Sequence, residues 1–363
     1  MTAVLAPVDA RPTPRTPAGR VPAGPAWWGA VMGTGIVATL TELHAGHHAA
    51  GADLARFFVI VAWLLMLGLT AGFIARIVRD RSVWRESVSG VGAFAWGMVS
   101  MGVTSVGAAT SAVVPAWYAP LARTAWLLDA ALWTLGAVVG IASTAGFVAY
   151  ILRRNPDGPR PAWGLAVVAP MVTATCGAPF VGQIDSDAAS FALCAFLVCC
   201  FATSLVLGVV VFAVAYAHHF RVDPLPVAAA PSSWIPLGVV GQSTAAAQAI
   251  SAQSARFLSP AAHDAAARFA DVYGMVMLAV AVPLVAFAVV TTLRGARDRM
   301  PFSPGCWALT FPIGTLSLGS HHLAEATGLT VYSAAAVTAW IVLLGTWTLC
   351  ATASLRSLLP THV

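Results

Sequence analysis

The chain has 363 residues, of which 59% are hydrophobic and 9% are charged, and its mean hydropathy is +0.81. An average soluble protein carries about 25% charged residues, so this composition excludes a soluble globular protein and indicates a chain whose solvent is the lipid bilayer. The net charge of +5 comes from 19 arginines, because the sequence contains no lysine. Basic residues in a membrane protein report topology, so no nucleic-acid partner is expected.

Ten apolar stretches follow an N-terminal segment rich in proline, alanine and arginine. Residues 1–24 contain no apolar run typical of a signal peptide and predict a disordered cytoplasmic tail. A helix needs about 20 mainly apolar residues to cross the bilayer, which predicts a transmembrane domain over residues 25–356 and a short tail over residues 357–363. The predicted spans are Ala26–Leu43, Ala55–Val78, Ser89–Val113, Leu121–Leu152, Ala162–Val181, Ala188–His218, Ser233–Ser254, Ala267–Leu293, Gly305–Ala324 and Val331–Leu355.

Arginine positions predict the orientation, because basic residues accumulate at cytoplasmic helix ends. With the N-terminus inside, the outer side holds Arg56, Arg123, Arg256 and Arg268, and the other 15 arginines are cytoplasmic. We therefore expect a multi-pass protein of the inner (plasma) membrane with both termini in the cytoplasm. Every odd-numbered helix then runs from inside to outside.

A tryptophan stands near the start of each odd-numbered helix. The five are Trp28, Trp96, Trp163, Trp234 and Trp307, with gaps of 68, 67, 71 and 73 residues. Such regular spacing indicates an internal repeat. The sequence therefore predicts an all-α polytopic membrane protein whose ten helices form five hairpins around a pseudo-fivefold central pore.

The odd-numbered helices also hold most of the glycines, prolines and hydroxyl side chains, whereas the even helices are more uniformly apolar. Small residues have an ordinary explanation in close helix packing. Pro170 and Pro312 indicate more, because each is expected to kink its helix against the carbonyl four residues back, that of Ala166 or Ala308. The candidate pore-lining residues are Gly33, Thr34, Gly35, Ser100, Thr104, Pro170, Thr173, Gly241, Gln242, Ser243, Pro312 and Thr315.

The middles of the five odd helices contain no Asp, Glu, His or Arg. Cation and proton pathways commonly use such residues inside the membrane. A path built from hydroxyls, an amide and backbone dipoles favours a weakly held anion, attracted by N–H groups and by a basic cytoplasmic rim.

Three segments carry a family resemblance: Ala26-Trp-Trp-Gly-Ala-Val-Met-Gly-Thr-Gly35, Trp234-Ile-Pro-Leu-Gly-Val-Val-Gly-Gln242 and Trp307-Ala-Leu-Thr-Phe-Pro-Ile-Gly-Thr315. Together they resemble the tellurite-resistance/dicarboxylate transporter family, which includes fungal malate and sulfite transporters and is related to plant slow-type anion channels. The likeness extends from about Pro25 to Leu355.

The resemblance implies a homotrimer in which each subunit has its own pore, and a phenylalanine that blocks that pore. Phe311, in the step Thr310-Phe311-Pro312, matches the blocking residue, while Phe94 and Phe180 on neighbouring odd helices remain alternatives. Without the resemblance, Phe311 would be interpreted as a core or lipid-facing aromatic. The predicted third helix differs from the family in having no proline.

The remaining polar residues favour structural roles. The histidines His44, His47 and His48, His218 and His219, and His321 and His322 do not have metal-ligand spacing, because adjacent helical residues point about 100° apart. Asp129, Glu42 and Asp271 lie near predicted helix ends, where snorkelling to the membrane interface or pairing with Arg123 or Arg268 is the simplest interpretation. The cysteines show no zinc or disulfide pattern, and no nucleophile or phosphate-loop motif appears, so we expect no enzyme activity, no metal and no cofactor.

The sequence therefore predicts a membrane transporter of small anions. C4-dicarboxylates such as malate are the first candidate, and sulfite or tellurite efflux or a chloride- or nitrate-type anion channel is the alternative. A membrane enzyme or sensor that uses the histidine pairs is a remote alternative of a different class. Its partners would be the anion, membrane lipid and further copies of the chain.

Overall fold

The computed structural model describes residues 23–154 and 158–359, and within these ranges every regular element is a helix. Ten helices have 17 or more residues, and a six-residue helix, Ser82–Ser87, lies between the second and third of them. Most of the predicted N-terminal tail, and residues 360–363, lie outside the described residues. The ten are α1 Trp28–Ala45, α2 Ala49–Arg79, α3 Trp96–Trp117, α4 Ala122–Arg154, α5 Gly164–Val181, α6 Asp187–Arg221, α7 Ile235–Gln253, α8 Pro260–Arg297, α9 Phe311–Thr327 and α10 Thr330–Leu358.

Seven of these helices, α2 to α6, α8 and α10, are long and apolar enough to cross a membrane. The predicted class, an all-α polytopic membrane protein, is confirmed. The other three, α1, α7 and α9, have 18, 19 and 17 residues and bury most of their side chains inside the protein. That they also cross the membrane, giving ten spans, stays a prediction.

The helices are arranged as five hairpins around a closed inner ring. Each odd-numbered helix packs against the even-numbered helix that follows it. The odd helices also pack against one another in the order α1, α3, α5, α7, α9 and back to α1. The even helices lie outside the ring, and each also contacts the next odd helix, so the arrangement has the predicted fivefold character.

A short 3₁₀ segment precedes each odd helix. These segments are Pro25–Trp27, Gly90–Ala95, Pro161–Trp163, Val227–Trp234 and Pro304–Leu309. The five repeated tryptophans lie in these segments or at the first residue of the following helix. The regular spacing seen in the sequence therefore marks the same structural position in all five hairpins.

The positions of the prolines within the helices agree only in part with the predictions. Pro170 lies inside a continuous α5, and Pro236 lies in the first turn of α7, as expected. The prediction of Pro312 in mid-helix is wrong, because α9 begins at Phe311. Proline lacks an N–H and clashes with the carbonyl four residues back, so the chain changes from 3₁₀ to α-helix there instead of kinking. The third helix extends beyond its predicted end and includes Pro115.

A glycine lies at every seam of the inner ring. At these positions a Cβ atom would press against or overlap the neighbouring helix. At Gly35, Gly97 and Gly241 the atoms met include backbone atoms of the neighbouring helix, and glycine allows this close approach. At Gly164 and Gly314 they are side-chain atoms, and Gly164 also lies against Phe212 of α6. The contacts are Gly35 against Ser105 (α1–α3), Gly97 against Leu165 (α3–α5), Gly164 against Ile235 (α5–α7), Gly241 against Thr315 (α7–α9) and Gly314 against Ile36 (α9–α1).

The seam between α7 and α9 provides a test of this packing. A Cβ at Gly241 would overlap the backbone of Thr315 and Leu316, so Gly241→Ala is expected to destabilise the protein by about 1–3 kcal/mol through overpacking. The measurement is the thermal unfolding midpoint in detergent. The matched control is Gly68→Ala on α2, where nothing lies within 4 Å of the added atom. Equal midpoints for the two variants would contradict the close approach.

Candidate functional site

The contacts of α1 show which of its faces points to the centre of the ring. Gly33 lies against Thr310 before α9, Gly35 against Ser105 of α3, and the Thr34 hydroxyl accepts a hydrogen bond from the Trp347 indole of α10 at 2.9 Å. The remaining face carries Met32 and, seven residues later, Thr39, since residues seven apart lie on one side of a helix.

The inward face of α9 is likewise the face left over once its contacts with neighbouring helices are assigned. Gly314 faces Ile36 of α1, and the Thr315 backbone lies against Gly241 of α7. The Ser317 hydroxyl donates to the Ala336 carbonyl of α10 at 2.8 Å. The inward face between α1 and α7 then carries Phe311 and Leu318, followed by His322 one turn further on.

The seam contacts of α3, α5 and α7 assign their inward faces in the same way, as the strip between the two ring neighbours. All five inner helices then show one pattern along this face. Each presents one fully buried side chain and, seven residues later, one that is partly or largely exposed. The five buried residues, which we call the constriction, are between 1% and 2% exposed. They are Met32, Met101, Val172, Gln242 and Phe311, and their exposed counterparts, which we call the vestibule, are Thr39, Ala108, Pro179, Ala249 and Leu318.

Three hydroxyl side chains that were predicted to line the pore do not belong to the inward face. The Ser100 hydroxyl donates to the Gly136 carbonyl of α4 at 2.6 Å, the Thr34 hydroxyl is bonded to α10 as described, and the Thr104 hydroxyl donates to the Ser100 carbonyl at 2.8 Å. A buried hydroxyl without a partner costs free energy, so each one is placed where a carbonyl or indole completes its hydrogen bond. These side chains serve helix packing.

The other predicted positions have partners of their own. Gly33, Gly35 and Gly241 are seam glycines. The hydroxyls of Thr173, Ser243 and Thr315 donate to carbonyls of their own helices. Pro312 lies 3.9 Å from the position that a Cβ of Gly238 would take, and Pro170 lines an outer groove with residues of α4 and α6.

Of the candidate lining residues and the candidate gate, Gln242 and Phe311 remain on the inward face. The four other constriction and vestibule positions with larger side chains, Met32, Met101, Val172 and Leu318, were not predicted. Each of them belongs to a pair of residues seven apart on an odd-numbered helix. Such pairs occur on every face of a helix, so the inward pair can be identified only after the glycine contacts between neighbouring helices are known.

The alternative gate residues pack outwards. The Phe94 ring lies 5.0 Å from that of Phe147 on α4, between ring centroids. The Phe180 ring lies 5.7 Å from Trp126 and 5.5 Å from Trp133, both also on α4. Phe311 is therefore the candidate gate that lies on the inward face of its helix.

Two acidic residues, Asp129, which is buried, and Asp271, which is partly exposed, accept hydrogen bonds from neutral donors. Asp129 is 4% exposed and accepts a hydrogen bond from Ser111 of α3 at 2.6 Å. Asp271 accepts one from the Gln248 amide at 3.0 Å. The predicted pairing with Arg123 and Arg268 is wrong, because the helix interface supplies a closer neutral partner in each case.

Histidines cluster at the far end of α9. His44 lies edge-on to His321, with 5.3 Å between ring centroids, and Glu325 lies 3.3 Å from His321 and 3.5 Å from His322. Among the described residues no group of three or more histidine, cysteine or acidic side chains has the geometry to hold a metal ion. The cluster thus sits at the vestibule end of the path.

The fold and the site together define a polytopic membrane protein with an uncharged constriction at the centre of a five-helix ring. A family model described as voltage-dependent anion channel (SLAC1) matches residues 23–355, and the chain belongs to this family. The resemblance seen in the sequence is confirmed. Members are transport proteins for small anions, which gives the class of function.

Characterised fungal relatives are similar over most of the chain. A sulfite efflux pump of Arthroderma otae is 25% identical over 341 residues, covering 89% of this chain and 87% of the relative. A sulfite efflux pump of Trichophyton rubrum is 25% identical over 320 residues, covering 83% and 81%. These names correspond to the alternative substrate of the sequence analysis rather than to malate.

The hydroxyl contacts predict what Ser100 does. Ser100→Ala removes the hydrogen bond to Gly136 and is expected to lower the free energy of unfolding by about 1 kcal/mol. Relative fluxes of different anions should stay the same, because the side chain faces α4. Thermal unfolding and proteoliposome flux measure the two effects. Altered anion selectivity with unchanged stability would place Ser100 in the path instead.

Proposed function

We propose that the chain moves small anions through the centre of its inner ring, with sulfite in its hydrogensulfite form as the first substrate to test. The observation that carries the proposal is the uncharged inward face, closed at the constriction and partly exposed beyond it. Family membership and the fungal sulfite efflux pumps support the substrate. The direction proposed is export from the cytoplasm.

The constriction favours a small monoanion over a dicarboxylate. Four of its five side chains are apolar, and none is cationic. An ion entering such a ring loses hydration without gaining a counter-charge, and the free-energy cost rises steeply with its charge. Hydrogensulfite is smaller than malate and carries one charge, so we now rank it above the C4-dicarboxylates.

Arginines provide the attraction that brings anions to the path. Arg76 and Arg79 end α2, Arg153 and Arg154 end α4, and Arg294 and Arg297 end α8, on the side where the inner helices begin. A concentration of positive charge raises the local concentration of anions. We propose that this rim is cytoplasmic and that the chain lies in the plasma membrane; a trimer with one pore per subunit remains an expectation from the resemblance.

Phe311 is proposed as the gate of the path. Its side chain is 2% exposed and lies where α9 begins, on the same face as the partly exposed Leu318. An apolar constriction can close a pore by excluding water. Movement of this ring would open the path without moving any charged group.

Truncation of the proposed gate should raise anion flux. Phe311→Ala is expected to increase hydrogensulfite flux into proteoliposomes by about tenfold or more, which corresponds to lowering the barrier by about 1.4 kcal/mol. The measurement compares hydrogensulfite, malate, chloride and nitrate, singly and in competition. Phe180→Ala is the matched control, because that ring packs against α4.

Three results would contradict this proposal in different ways. Unchanged flux in a folded, inserted Phe311→Ala protein would remove Phe311 as the gate while leaving the transport function in place. Absence of flux for all four anions, in both the wild type and the variant, would contradict anion transport itself. Saturable malate uptake that exceeds hydrogensulfite uptake would restore the dicarboxylate as the substrate.

The orientation makes a separate prediction. Because most arginines lie at one side, both termini are expected in the cytoplasm. A reporter that fluoresces only in the cytoplasm should be active when fused to either end, and a reporter active only outside should be inactive at both. An active external reporter at one end would mean an odd number of spans, and at both ends an inverted protein.

A further inference from the structure

Gln242 is the one polar side chain among the five residues of the constriction. It is 2% exposed, and its amide oxygen is buried without a hydrogen-bond partner among the described residues. Buried polar atoms are nearly always hydrogen-bonded, and one that is not calls for an explanation. An unsatisfied amide in an otherwise apolar ring indicates that something else completes its hydrogen bonds.

Contacts on both sides fix where this side chain lies. The Gln242 backbone carbonyl is 3.3 Å from the Thr175 hydroxyl of α5, and the preceding Gly241 lies against Thr315 of α9. Gln242 therefore lies on the part of α7 between its two ring neighbours. Thr315 follows Phe311 by about one helical turn, so the backbone of Gln242 lies about one turn beyond the start of α9, on the vestibule side.

The other buried glutamine of the same helix shows the contrast. The Gln248 amide donates to Asp271 of α8 at 3.0 Å and so has a structural partner. Gln242 has none for its oxygen, and an apolar side chain of the same length would fill the space without loss of a hydrogen bond. A packing role alone therefore does not account for an amide here.

We propose that Gln242 determines specificity by recognising an anion that still carries a proton. This inference rests on the proposed transport function and deepens it. A carboxamide has an N–H₂ donor and an oxygen acceptor. The hydroxyl of hydrogensulfite donates to the Gln242 Oε1 atom while another of its oxygens accepts from Nε2. Chloride, nitrate and the sulfite dianion have no hydrogen to donate, so they leave the amide oxygen unsatisfied.

The test measures permeability ratios in planar bilayers, using the open Phe311→Ala protein as background. The ions are hydrogensulfite, nitrate and methanesulfonate, the last being a singly charged sulfonate without a donor hydrogen. Gln242→Met keeps the length of the side chain but removes the amide. The hydrogensulfite-to-nitrate and hydrogensulfite-to-methanesulfonate ratios are expected to fall about tenfold, equivalent to about 1.4 kcal/mol.

Gln248→Met is the matched control, because it removes from α7 an amide that faces α8 instead of the centre. Both permeability ratios should stay within about twofold of those of the Phe311→Ala parent, or about 0.4 kcal/mol. If Gln242→Met does not yield folded protein, Gln242→Leu carries the same expectation. Unchanged ratios in a folded Gln242 variant would overturn this inference while the transport function stands. Absence of current and flux for every ion, in both the wild type and the Phe311→Ala protein, would overturn both.

Discussion

Close approach of the inner helices is the constraint on which the rest of the structure depends. Each seam of the ring contains a glycine at the point where a Cβ atom would meet the neighbouring helix. With the seams this tight, each helix turns only a narrow strip of its surface to the centre. One side chain per helix then suffices to fill the constriction, and in the proposed path these five residues are the ones that an anion meets.

The outer helices provide hydrogen-bond partners for polar groups of the inner helices. Indole N–H groups of the outer helices donate to inner-helix oxygens, as in Trp63 to Thr110, Trp133 to the Thr173 carbonyl and Trp340 to Thr41. A membrane offers no water to these groups, so their partners must come from the protein. Most hydroxyls of the inner helices are therefore bonded to neighbouring helices or to their own backbone, and the constriction is left apolar except at Gln242.

The sequence was sufficient for the fold but only partly for the site. Hydropathy and arginine bias reflect the bilayer, and the tryptophan spacing reflects an internal repeat. These signals can be read from the residues alone, so the hairpins could be predicted. The direction of a hydroxyl such as that of Ser100 depends on which neighbour lies within 3 Å, and composition does not contain that information. The prediction of Phe311 rests on the family resemblance. Its position as the first residue of α9 follows from Pro312, which ends the preceding 3₁₀ segment instead of kinking a longer helix.

Selectivity in such a path has to arise from few interactions. An apolar ring discriminates among anions mainly by the cost of removing their water, which ranks ions by charge and size but does not separate monoanions of similar size. Fungal relatives named as sulfite efflux pumps are 25% identical over 341 and 320 aligned residues, which supports a common class of ion. In our proposal the Gln242 amide, whose oxygen has no hydrogen-bond partner among the described residues, supplies the additional discrimination. A difference of one hydrogen bond is enough to favour one of two otherwise similar anions.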